Sequence, residues 1–247
     1  MTGRMLARAR MLLVFMIVVL VLMPTHYNFT DNITSGTTPT STTQPQIHLR
    51  GVWGGTDEYP TYTLANMVVN FEYGMTLDQR VRWAKIFDQA IELLPEELVE
   101  LVSDIGVTFT SVGICDNSVL GCFYSIPGGI GMRSDTMSGL GDIDVLQVLI
   151  HELGHAVDFK LGSTGHLFED LYVSDQRMPT NYARTNVAED FAESFFTYVM
   201  YPSKLKQCCV ERYKFLRDNV FGGIEYDEDF PSTPLSKNRF GMFSDFK

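Results

Sequence analysis

The chain has 247 residues, of which 45% are apolar and 20% charged, with a formal net charge of -11. That balance excludes a disordered chain and leaves enough apolar surface for a real core. An acidic surface with a pI near 4.8 and no basic stripe argues against a nucleic-acid partner.

Arg4, Arg8 and Arg10 precede an apolar run over 11–23. Basic residues followed by about a dozen apolar ones form the secretory signal pattern, and the run is short of the ~20 residues a spanning helix needs. No small-x-small cleavage site follows it, so residues 1–24 read as either a signal peptide or a retained N-terminal membrane anchor. Residues 25–46 are rich in Thr, Pro and Gly. They bury too little to offset ordering, so a linker is expected there. Asn28-Phe29-Thr30 and Asn32-Ile33-Thr34 match the glycosylation acceptor pattern. Together these features place the protein outside the cytoplasm, secreted or tethered to a membrane.

The folded domain is expected over 47–247. Thr76 precedes a stretch with Val81, Ile86, Ala90, Ile91 and Leu94 at helical spacing, and Thr76 suits the N-cap. Pro95 opens a second, shorter helix with Glu96 and Glu97 in its first turn. Residues 105–112 and 119–125 read as β-strands joined as a hairpin. Cys115 and Cys122 bracket that connection and suit a disulfide in an oxidising compartment. Cys208 and Cys209 are adjacent, and the sequence does not choose among the pairings of four cysteines. The glycine-rich stretch after Pro127 reads as a loop or edge strand leading into a helix capped by Asp142 or Asp144. A variable loop is expected from 162 to about 185. Thr185 or Asn186 then caps a helix that Pro202 interrupts, a further helix runs to Gly222, and the acidic tail beyond it reads as loose. The whole predicts an α+β domain with helices packed against a small mixed sheet.

The helix over residues 145–160 carries His151-Glu152-Leu153-Gly154-His155. Residues i and i+4 lie above one another on a helix, so both imidazoles reach one ion and Glu152 faces the water beside it. Two histidines and a carboxylate in such an apolar helix are costly without partners. A catalytic zinc takes a third protein ligand. The pattern HExxHxxGxxH fails, because Asp158 and Leu161 stand where its glycine and third histidine belong. His166 is a weaker alternative in a glycine-flanked loop. Glu189 is the better ligand, on the heavily apolar helix 187–200. Glu193, one turn further, suits a hydrogen bond from a ligand histidine such as His151.

The HELGH motif and the stretch from Asn181 to Glu193 resemble the anthrax lethal factor catalytic-domain family, which includes the bacterial Pro-Pro endopeptidases. In that family a tyrosine lies seven residues before the third zinc ligand, a spacing matched by Tyr182 and Glu189. The resemblance implies a zincin-like fold and Tyr182 as the donor to the oxyanion. It also implies that the stretch 128–132 is the edge strand on which an extended peptide lies. It covers chiefly residues 140–200. The N-terminal run, the threonine-rich linker, the cysteines and the short gap between His155 and Glu189 depart from it, and substrate preference stays unread.

The expected function is a zinc-dependent endopeptidase with a peptide or protein substrate. His151, His155 and Glu189 hold Zn²⁺, and Glu152 is the base. The alternative is an exported zinc-binding adhesion protein of the same fold without catalysis.

Overall fold

The computed structural model describes residues 49–116, 119–162 and 164–230, with the backbone alone for 164–167. The residues read as signal or anchor and as linker lie outside the described part. Among the described residues no helix is long and apolar enough to cross a membrane.

The architecture is mixed α+β, with one six-stranded mixed sheet. Strands β1 (Val52–Gly55), β2 (Pro60–Leu64) and β3 (Met67–Phe71) form an antiparallel meander. Helices α1 (Leu77–Glu92) and α2 (Glu96–Leu101) then cross over to β4 (Gly106–Thr110), which lies parallel to β3. Strands β5 (Gly121–Tyr124) and β6 (Gly129–Arg133) complete the sheet in the order β1-β2-β3-β4-β6-β5.

The start of α1 follows from its sequence. Thr76 accepts a hydrogen bond from the Gln79 backbone N–H at 3.3 Å, and the Gln79 side chain accepts from the Thr76 backbone N–H at 2.9 Å. This reciprocal box satisfies two donors that the first turn leaves unpaired. Helix α1 packs on the sheet through Trp83, which stacks on Phe109 of β4 at 5.2 Å between ring centroids. Val107, Phe109, Ile130 and Met132 point into the same core.

The β-topology departs from the sequence reading in two ways. The expected hairpin between β4 and β5 does not form: β4 pairs with β6 in parallel, and β5 makes its hairpin with β6. Most of the stretch 128–132 is therefore in an inner strand, and β5 is the edge on that side of the sheet. The glycines of β6 explain why it resembled a loop. The Tyr124 ring fills the space over Gly129, and Ile114 and Cys115 fill the space over Gly131. Ile130 and Met132 alternate with these glycines toward the core, but the other face carries no side chains of its own, so the run reads as glycine-rich. The expected Cys115–Cys122 disulfide is present, and it ties the β4–β5 connection to the edge strand.

Helix α3 (Ser134–Met137) leads to α4 (Asp142–Leu161), which runs through the core. Gly141 occupies its N-cap, and neither Asp142 nor Asp144 caps it by side chain. Both acids sit in the first turn, where the helix dipole favours them. The segment expected as a loop instead contains α5 (Thr164–Ser174). This helix is held by packing, with the buried Phe168 5.2 Å from both Phe191 and Phe215.

A short 3₁₀ turn (Tyr182–Arg184) precedes α6 (Val187–Met200). Pro202 opens α7 (Pro202–Cys208), and the single helix expected beyond it breaks at Cys209 before α8 (Val210–Asn219). Cys208 and Cys209 are joined to each other. The tail is strapped down through residue 230. Tyr226 donates to the Leu93 carbonyl, and Asp229 accepts from the Ser203 backbone at 3.0 Å.

Candidate metal centre

The site is built where α4 crosses α6. On α4, His151 and His155 lie one turn apart, with ring centroids 4.8 Å apart. Gly154 permits the close crossing: a Cβ there would stand 3.1 Å from the Ala192 Cα and 3.2 Å from the Phe195 Cβ. On α6, the Asn186 side chain caps the helix by accepting the Glu189 N–H at 2.9 Å. The cap fixes the first turn, and Glu189 is in that turn.

Glu189 Oε2 lies 3.1 Å from His151 Nε2 and 3.3 Å from His155 Nε2. These three donor atoms form a group able to hold a metal ion. Their spacing is telling. For ligand bonds of 2.0–2.1 Å in a tetrahedral shell, neighbouring donor atoms sit about 3.3 Å apart, which suits both separations from Glu189, and all three donor atoms lie within 4.8 Å of one another.

His151 Nδ1 lies 2.7 Å from Glu193 Oε1. In a neutral, metal-ligating His151 that contact would favour the proton on Nδ1 and leave Nε2 to act as the ligand. Glu189 Oε2 is buried, and the two imidazole Nε2 atoms are the groups that face it. Without a metal, a protonated His151 is the positive charge between these carboxylates, a place that a bound cation would take over. Charge points the same way. Glu152, Glu189 and Glu193 surround two imidazoles, and Glu193 is fully buried. Burial alone would pull the His151 imidazolium down, but its hydrogen bonds to Glu189 and Glu193 outweigh this and lift it to about 10. Burial would raise Glu189, yet the two histidines hold it down at about 2. The cluster attracts positive charge.

Glu152 is 5% exposed, and its Oε2 has no hydrogen-bond partner. Burial raises its pKa. The edge strand passes directly over it: a Cβ on Gly121 would come within 2.8 Å of Glu152 Oε1. Tyr182 remains 39% exposed at the mouth, with its ring centroid 5.8 Å from that of His151. Burial and the carboxylates of Glu189, Glu152 and Glu193 push its hydroxyl up to about 12, so it stays a donor.

The structure therefore brings together all six residues singled out in the sequence: His151, Glu152, His155, Tyr182, Glu189 and Glu193. The side chain of His166 lies outside the described residues. Two participants had no sequence signal. Gly121 matters only because β5 passes over Glu152. Thr180, 5% exposed, donates from Oγ1 to Glu193 Oε2 at 2.6 Å. Both depend on contacts between distant segments.

No protein-family model matches the chain, and no curated protein matches it either.

Proposed function

We propose that the protein is a zinc-dependent endopeptidase of zincin-like fold, acting outside the cytoplasm and similar to the lethal factor catalytic-domain family. One observation carries the reading: Glu189 Oε2 meets both Nε2 atoms at the edge length of a tetrahedral zinc shell. His151, His155 and Glu189 are the ligands. Zinc, when bound, makes water a nucleophile near neutral pH and polarises a carbonyl.

The remaining work falls to the chain's own residues. Glu152 accepts the proton of the attacking water and returns it to the departing amine. Tyr182 donates its hydroxyl proton in a hydrogen bond to the oxygen on which charge develops. Glu193 holds His151 in the tautomer that offers Nε2. The edge of β5 offers backbone hydrogen bonds to an extended peptide, and Gly121 leaves room beside Glu152. That edge supports a peptide substrate over a compact small molecule.

The test is cleavage of a randomised peptide library by the zinc-loaded protein, with bound zinc quantified in parallel. One zinc per chain with cleavage supports the proposal. One zinc without cleavage of any peptide supports the non-catalytic alternative, and a folded sample that takes up no zinc removes both. Tyr182→Phe should lower kcat by about 100-fold with KM and zinc content little changed, the loss expected for one oxyanion donor.

A further inference from the structure

Glu193 is fully buried and has two oxygens to satisfy. Oε1 faces His151 Nδ1 at 2.7 Å. Oε2 accepts from Thr180 Oγ1 at 2.6 Å. A hydroxyl has one proton to donate and two lone pairs with which to accept. Thr180 uses both capacities, because its Oγ1 also accepts the backbone N–H of Ala183 at 3.2 Å. Ala183 is the middle residue of the turn that begins at Tyr182.

A continuous chain of contacts thus runs from the ligand His151 through Glu193 to Thr180. It ends in the backbone that presents Tyr182. Every side chain along it is nine-tenths or more buried. Water is a poor substitute in such a place, and an unpaired carboxylate oxygen there is costly.

We infer that Thr180 is a positioning residue that sets two things at once: the carboxylate of Glu193, and through it the aim of His151 Nε2; and the turn that carries Tyr182. The inference rests on the zinc-peptidase reading above. It differs from a plain packing role because only the hydroxyl is required. Valine keeps the shape and loses both hydrogen bonds. Serine keeps both bonds and loses a methyl.

The experiment uses the full chain and zinc alone as the probe. Zinc Kd is read by competition with a chromophoric chelator, followed by kcat and KM at saturating zinc. Thr180→Val should weaken zinc by about 10- to 100-fold, the usual cost of losing a partner that orients a ligand. It should also lower kcat at saturating zinc more than it raises KM. Thr180→Ser should stay within about threefold of the parent in Kd and kcat, since its hydroxyl keeps both bonds. In a Glu193→Ala background, Thr180→Val should add less than about threefold to Kd, since its route to the metal is gone.

Parental zinc affinity in Thr180→Val would overturn the inference. So would a tenfold loss in Thr180→Ser, which decides the matter even where the valine variant does not fold. A parent protein that binds no zinc would instead sink the function proposed above, so the two failures are distinguishable.

Discussion

Helix α6 buries acids on two sides, and the protein treats them differently. Asp190 faces Arg212 of α8. Arg212 Nε donates to Asp190 Oδ1 at 2.9 Å, Nη2 donates to Oδ2 at 2.7 Å, and both side chains are fully buried. That carboxylate has its counter-charge from within the chain. Glu189 and Glu193 face α4, where Glu152 adds a third carboxylate and no Lys or Arg ion pair is recorded among the described residues. Buried acid alone does not mark a metal centre. The informative difference is whether the counter-charge is a permanent guanidinium or histidines that can exchange their protons for a metal.

The largest expected effect tests the side held by histidines. Glu152→Gln should cut kcat/KM by about 10³- to 10⁴-fold, since it removes a positioned base. Zinc should remain at one per chain. Peptide turnover near the parental rate in that variant would strike Glu152 from the chemistry.

Next comes the balanced side. Arg212→Met leaves Asp190 buried without its partner and should cost about 3–5 kcal/mol in denaturant unfolding. Zinc Kd should move by less than about threefold, because among the described residues the carboxylates of the two clusters share no hydrogen-bond partner. A large change in Kd would show that the two sides of α6 are one network, and the contrast would collapse.

Glu189→Gln is the mirror experiment. It should weaken zinc by more than about 100-fold, exceeding the cost of losing an outer partner. The zinc-free protein should lose about 1.5–3 kcal/mol, the scale of a hydrogen bond between charged groups. Smallest is Asn186→Ala, which removes the α6 cap and should cost about 1 kcal/mol. It sharpens the contrast if zinc affinity falls along with stability, because the capped turn is the one that holds Glu189.

Much of the site was legible because its residues lie in short periodic segments. The pair His151 and His155 follows from helix geometry, and Glu189 and Glu193 stand out as acids one turn apart on an apolar helix. The capping box at Thr76 and Gln79 was partly readable for the same reason. What escaped depends on contacts between distant segments. Thr180 sits in a turn-like stretch that looks like any loop, and its hydroxyl has meaning only beside Glu193. Strand β6 was misplaced because its glycines borrow their outer packing from Tyr124, Ile114 and Cys115. Helix α5 was missed because turn residues flank it and the packing of Phe168, rather than local propensity, holds it.

The bare backbone at Gly154 acts as a gauge for the whole centre. It fixes how near α6 comes, and so how far Glu189 must stretch to reach the two rings. A methyl at that position would wedge the helices apart by tenths of an ångström. Coordination lengths are tolerated only within about 0.2 Å. On the zinc reading, a residue that offers no donor atom would thus help to set which ion fits.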